Sequence, residues 1–269
     1  MKQLFQIENE ISEMIQPVLS LRIGERHLSY AITNKSGYSV SKLAYFSFEK
    51  GHENEVIDFL NTSSFLEHSF YEVLIAFDYS QNIVVPSINF RQEDAGLLLD
   101  TWYSTDSRSD IISEVIPGWQ LHNVYAVPKE IRVGINRKFP VARYWHQYSL
   151  GLRNVNSAGS NGDIQIDFRE HDFTLVAVKQ SQFLVARNFE YTTPEDVLYY
   201  LLQICRQFSL SQLDVRLRLS GLIDKQSSLY KELYQYFIGV EFSDASWNSM
   251  REFPDHFFTS LNDLAKCVS

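Results

Sequence analysis

From Pro17 onward the chain passes through short stretches in which apolar residues occupy every second position. Leu19, Leu21 and Ile23 alternate with Ser20 and Arg22, the period of a strand with one buried face. Gly24 marks a turn, Leu28, Tyr30 and Ile32 alternate again, and the cluster Asn34-Lys35-Ser36-Gly37 predicts a second turn. Tyr38, Val40, Leu43, Tyr45 and Phe46 predict a third strand. Val56, Ile57, Leu60 and Phe65 fall at helical spacing over 54–66, and the unbroken run Val73-Leu74-Ile75-Ala76-Phe77 predicts a buried fourth strand. Residues 3–16, ahead of Pro17, read as a helix or a frayed lead. The order is β-β-β-α-β.

That order returns later in the chain. At a constant offset of 145 residues, Gly24 to Ile32 lies over Arg169 to Ala177 without a gap, strand on strand and charged turn on charged turn. At the same offset Tyr38 meets Phe183 and Val40 meets Val185, so a third strand recurs over 183–191. Thr193-Pro194-Glu195-Asp196 then specifies a helix start, with a capping hydroxyl, a proline at the first helical position and acids at the positive helix end. Val197, Leu198, Leu201, Leu202, Cys205 and Phe208 share one face of that helix, which makes Cys205 core filling. Val215, Leu217 and Leu219 alternate toward Gly221 as a further strand, and Ser227 to Phe237 reads as a second helix. Between the copies, 95–103 and 128–137 read as helices and 124–127 and 141–145 as strands. Small polar residues and glycine over 154–162 suit a linker. The expected organisation is a first lobe over 1–153, that linker, and a second lobe over 163–269.

A tandem pair of β-β-β-α-β-α units resembles the actin-like ATPase superfamily. The segments TTPEDVLYYLL, RLRLSGLIDKQSSLYKELYQYF and DHFFTSL resemble, more closely, a bacterial family of uncharacterised proteins assigned that fold. The resemblance implies an α/β protein with a duplicated RNase H-like/actin-like fold, each lobe a mixed sheet flanked by helices. It also implies a nucleotide site, built on an Asp-x-Gly turn in each lobe: the glycine admits phosphate to the backbone and the aspartate holds the Mg²⁺ shell. This chain keeps half of each motif. The first copy reads Arg22-Ile23-Gly24 and the second Asp167-Phe168-Arg169, while the adenosine-side glycine pair is reduced to Ser220-Gly221-Leu222. A cation at 22 repels Mg²⁺, and a side chain at 169 fills space that phosphates need.

The ligand-binding candidates are therefore Arg22, Gly24, Arg169, Gly221 and Asp224, with Arg22 and Arg169 suited to grip an anion directly unless they are solvated turn residues. Asp224 and Lys225, following Gly221, either reach a ligand at a strand end or cap the next helix. The catalytic candidates are Asp167 and Asp78, the latter the best substitute metal ligand. The function expected is a non-catalytic actin-like module binding a protein partner or an anionic ligand in or near the cleft between lobes, with no cofactor. The alternative is an ATP- and Mg²⁺-dependent enzyme with a rearranged metal site. A two-metal nuclease of RNase H type needs clustered carboxylates, and Arg22 counts against it.

Composition narrows the field further. The 269 residues are 45% hydrophobic and carry a net charge of −9, which predicts a folded chain and argues against a general nucleic-acid or anionic-membrane binder. One contrast stands out: over 129–153, Lys129, Arg132, Arg137, Lys138, Arg143 and Arg153 face the single acid Glu130, which reads either as a surface for an acidic partner, a nucleotide or RNA, with Tyr144, Trp145 and Tyr148 available for stacking, or as a solvated helix and strand edge paired with acidic surface elsewhere. His146, among those aromatics, is a candidate for the rim of a cleft. Cys205 and Cys267 form no disulfide framework and fit a reducing compartment. Glu8, Glu10 and Glu13 stand where a signal peptide needs an apolar run, so the expectation is a cytoplasmic protein without membrane insertion.

Overall fold

The lead before Pro17 forms an edge strand, β1 (Lys2–Glu8), and not a helix. It pairs antiparallel with β4 (Val40–Ser47), placing Phe5 opposite Tyr45, and this burial of one aromatic outweighs the helix-like local spacing. The computed structural model describes residues 1–9, 14–155, 160–247 and 253–268; Glu10, Glu13 and 156–159 of the expected linker lie outside them. Contacts divide the chain into two units. The first comprises Met1–Leu150, Trp247–Ser249 and Leu261–Ser269, and the second comprises Gly151–Ser246 and Met250–Ser260. The C-terminal residues expected in the second lobe thus return to the first.

In the first unit β2 (Val18–Gly24), β3 (His27–Thr33), β4, α1 (Asn54–Thr62) and β5 (Glu72–Asp78) follow the expected order. With β9 (Arg143–His146) they make a six-stranded sheet, β1-β4-β3-β2-β5-β9, in which β2, β5 and β9 run parallel. Every residue of β2 is buried, so it is not a strand with one wet face. Leu19, Leu21 and Ile23 meet α1 and α3 (Lys129–Lys138) on one side, through Val56, Leu60, Ile131 and Ile135. On the other side Val18, Leu74 and Ala76 are covered by Leu150 of α4 (Gln147–Arg153), Leu264 of α7 (Thr259–Ala265) and Cys267. That second cover is why Ser20 and Arg22 are buried too.

Between β5 and β9 the chain builds a separate three-stranded antiparallel sheet in the order β6-β8-β7: β6 (Asn82–Pro86), β7 (Ser109–Ile116) and β8 (Leu121–Pro128). α2 (Ala95–Asp100) packs on it through Ala95 and Leu99. Of these strands, sequence periodicity shows only part of β8.

The second unit repeats the order and directions of the first: β10 (Asp163–Phe168), β11 (Asp172–Lys179), β12 (Gln182–Glu190), α5 (Pro194–Gln207) and β13 (Arg216–Gly221), then α6 (Ser228–Tyr236) and β14 (Gly239–Phe242). Its sheet is β12-β11-β10-β13-β14, antiparallel over the first three strands and parallel over the last three. α5 begins as its sequence requires: Thr193 Oγ1 accepts from the Asp196 N–H, and the Asp196 carboxylate accepts from the Thr193 N–H. Val197, Leu198, Leu201, Ile204 and Cys205 bury against the sheet, and burial pushes the Cys205 thiol up to about 11, an inert core group. Among the described residues no helix is long and apolar enough to cross a membrane.

Candidate functional site

The six-stranded and the five-stranded sheet end in chemically similar clusters, one in each unit. In the first, parallel pairing sets Arg22 opposite Ala76 and Gly24 opposite Asp78. The small Ala76 leaves room for the guanidinium to run along the strand, and Arg22 Nη2 donates to Asp78 Oδ2 at 2.7 Å. Nε2 of His27 stands 3.4 Å from the same oxygen, and its ring stacks on Tyr45. All three side chains are at most 5% exposed. Arg22 is therefore neither a solvated turn residue nor an open anion grip, because Asp78 holds it inside the fold.

Gly24 serves that cluster as well. A Cβ there meets the His27 ring, with Nδ1 at 2.7 Å, and the Asp78 carbonyl at 2.9 Å. The space that a phosphate-binding glycine would keep clear is filled by an imidazole. Next to it Glu25 accepts from the Ser80 N–H at 2.9 Å and pairs with Lys50 at 2.6 Å.

In the second unit Arg169 is 3% exposed. It pairs with Asp172, donates to Thr174 Oγ1 at 3.0 Å and lies 3.7 Å from Asp167. Asp167 also accepts from Ser220 Oγ at 2.9 Å. Gly221 has φ +79°, and a Cβ there meets the Phe168 backbone and Asp167 Oδ1. Asp224 is set apart from this group: exposed, it accepts from the Gln226 N–H at 2.6 Å in the turn before α6, whose own cap is Ser227. His27, Asp172 and Ser220 are members that the sequence reading did not single out. A signal for two of them lay in the repeat: at the offset of 145, Arg22 falls on Asp167 and His27 on Asp172.

The basic stretch is largely engaged within the fold. Arg143 pairs with Glu72 at 2.6 Å and stacks over Trp145, Arg132 lies over Tyr144, and Lys138 donates to the Leu60 carbonyl. Tyr148 is 2% exposed and offers no stacking surface. His146 is fully buried, not at a rim: its Nε2 meets the Tyr79 carbonyl at 3.0 Å, its Nδ1 accepts from the Tyr148 N–H, and Tyr125 and Tyr148 flank the ring.

Beside His146 lies a carboxylate without any sequence signal. Glu114 accepts from Ser149 Oγ, from the His146 N–H at 2.9 Å and from Asn123 Nδ2 at 3.4 Å. Burial raises its pKa to about 7 despite those donors. Because the folded-state value lies above the ordinary 4.5, the contribution of Glu114 to stability is full below about pH 4.5 and is lost as pH rises through about 7. Glu114→Gln removes that titration. Stability of the natural protein minus that of the variant should fall on the order of 3 kcal/mol across that window, measured by denaturant melts at a series of pH values. A difference that does not change with pH contradicts the assignment.

Comparison with known proteins places the fold. A structure from Bacteroides thetaiotaomicron, described as a protein with an actin-like ATPase fold and unknown function, superimposes with a TM-score of 0.77 at 20% identity, covering 94% of this chain and 96% of that one. The PilM–PilN type IV pilus biogenesis complex contains a chain that matches with a TM-score of 0.56 at 12% identity, covering 94% and 98%. No curated protein matches the sequence. The sequence signature of a family described as protein of unknown function, DUF3822, matches residues 6–240, which leaves the DHFFTSL segment (255–261) outside it. The chain therefore belongs to the DUF3822 family and has the actin-like ATPase fold.

Proposed function

We propose that this protein is a non-catalytic actin-like module that acts by binding a protein partner. The buried Arg22–Asp78 pair carries this reading. The fold family implies ATP and Mg²⁺, and a metal site needs carboxylates whose lone pairs are open to the ion. Asp78, the best-placed candidate, is 1% exposed and turned onto Arg22 and His27. Withdrawing it would take the carboxylate away from a buried guanidinium, a cost of about 3–5 kcal/mol. In the second unit Asp167 is held by Ser220 with Arg169 close by, and Arg169 lies where the motif would have glycine. These residues do not fit Mg²⁺-nucleotide. Since both arginines have internal carboxylate partners, a free anion is also a weaker ligand than a protein surface. A chain of this fold is part of the PilM–PilN type IV pilus biogenesis complex, which supports the same reading.

Turnover tests it. Purified protein with ATP and Mg²⁺ should release phosphate no faster than buffer, and Asp167→Ala should leave that baseline unchanged. Turnover that a folded Asp167→Ala variant loses would overturn the reading in favour of an enzyme with a rearranged metal site.

A further inference from the structure

The parallel strands β2, β5 and β9 all begin at one rim of the six-stranded sheet, and the β3–β4 turn closes there as well. Strand register places four side chains along that rim. Val18 pairs with Glu72 and with Thr33, Thr33 pairs with Val40, and the Leu74–Arg143 pairing, continued by two residues, sets Val141 level with Glu72. Ile15 lies three residues before Val18, Tyr71 one before Glu72 and Tyr38 two before Val40. All four therefore fall within about 10 Å of one another along the strand direction, in the order Tyr38, Ile15, Tyr71, Val141 across strands about 4.8 Å apart. Two contacts tie these segments together: the Tyr71 N–H donates to the Pro17 carbonyl at 2.7 Å, and Lys35 Nζ reaches from the β3–β4 turn to the Tyr71 hydroxyl at 2.6 Å.

Tyr71 is 44% exposed and the other three are 64–88% exposed. Together they offer on the order of 500 Å² of surface in one row, against about 800 Å² per partner in a stable interface. Charge along the rim is low. Glu72 and Arg143 pair with each other at 2.6 Å, and Lys35, lying over the Tyr71 ring, meets no carboxylate among the described residues. Exposed tyrosines with little charge between them have the composition of an interface centre. The size pattern and the charge both fit a second copy of the chain. A two-fold axis through the middle of the row sets Tyr38 against the partner's Val141 and Ile15 against the partner's Tyr71, a ring against a branched aliphatic side chain at each step. The copy that arrives carries −9, and the unbalanced charge that it meets, Lys35, is positive.

We propose that this rim is the contact surface of a two-fold dimer of the chain. The dimer stands on unit-one geometry and does not depend on the partner-binding reading.

Sedimentation velocity of the full chain between about 1 and 200 µM tests it, with ¹⁵N NMR spectra recorded over the same dilution. The expected result is a monomer–dimer equilibrium with a Kd below about 100 µM, and shifts on dilution at the amides of Tyr38, Tyr71 and Val141. Val141→Lys and Ile15→Lys each bring a charge into the contact and should weaken the dimer about tenfold or more. Both positions face solvent in the monomer, so both variants should melt as the natural protein does. Ile88→Lys, 91% exposed just past β6, is the control and should leave the Kd unchanged. A chain that stays monomeric at the highest concentration would overturn the proposal and leave the rim to a different protein. So would a dimer that neither rim lysine weakens, or a ladder of higher species, the mark of a head-to-tail contact.

Discussion

Arg22→Met should destabilise the protein by about 3–5 kcal/mol, the range for removing one partner of a buried ion pair. The side chain it replaces is 5% exposed and donates to Asp78 at 2.7 Å from two strands that pair in parallel. Methionine restores most of the stem's packing, so the loss measures the guanidinium that the buried carboxylate has lost and not a cavity. The sign of a second experiment separates this from a general defect. Adding Asp78→Leu to Arg22→Met removes the buried charge as well, and the double variant should recover most of the loss. Denaturant melts of the four proteins in this cycle report the coupling. A single-variant loss under about 1 kcal/mol, as for an exposed pair, would contradict the burial on which the site rests.

Gly221→Ala should cost about 3 kcal/mol or more, for two reasons that add. At φ +79° an L side chain carries left-handed strain of about 1–2 kcal/mol. The new Cβ also strikes the Phe168 backbone, with its nitrogen at 2.8 Å, where β10 and β13 pair and Leu222 donates to the Phe168 carbonyl. Backbone in the middle of a sheet has little room to retreat. Gly51→Ala is the control, because Gly51 has φ +88° with nothing within 4 Å of the new atom. It should show the strain alone, and equal losses at the two positions would mean that the close approach at Gly221 is absent.

The repeat was legible because each strand of the two blocks carries its own period. β10 and β11 begin 145 residues after β2 and β3, and the α5 start follows from four residues of local chemistry. What failed needed non-local information. β1 looks helical until β4 is beside it, and β6 and β7 depend on pairing with β8 more than on alternation of their own, with Ile111 and Ile112 adjacent in β7. The return of α7 to the first unit is set by Leu264 and Cys267 reaching Val18 and Leu74. At the candidate site, sequence reasoning picked out both Arg22 and Asp78 but gave them separate ligands. Arginine is rarely buried unless paired, and the partner lies 56 residues away. Only the β2–β5 register brings them together. Glu114 was invisible for the same reason, as its donors Ser149, His146 and Asn123 come from three other segments.

The central claim is that the strand-end carboxylates serve the fold's own arginines and not a Mg²⁺-nucleotide. Calorimetric titration with ATP and ADP, each with and without Mg²⁺, and melting curves on the same mixtures, test it most directly. A nucleotide at 100 times its Kd would add about 2.7 kcal/mol to stability. The expected result is no binding heat and an unchanged, cooperative melt in all four titrations. Saturable binding that requires Mg²⁺, lost on Asp78→Asn or Asp167→Asn in a protein that still folds, would contradict it.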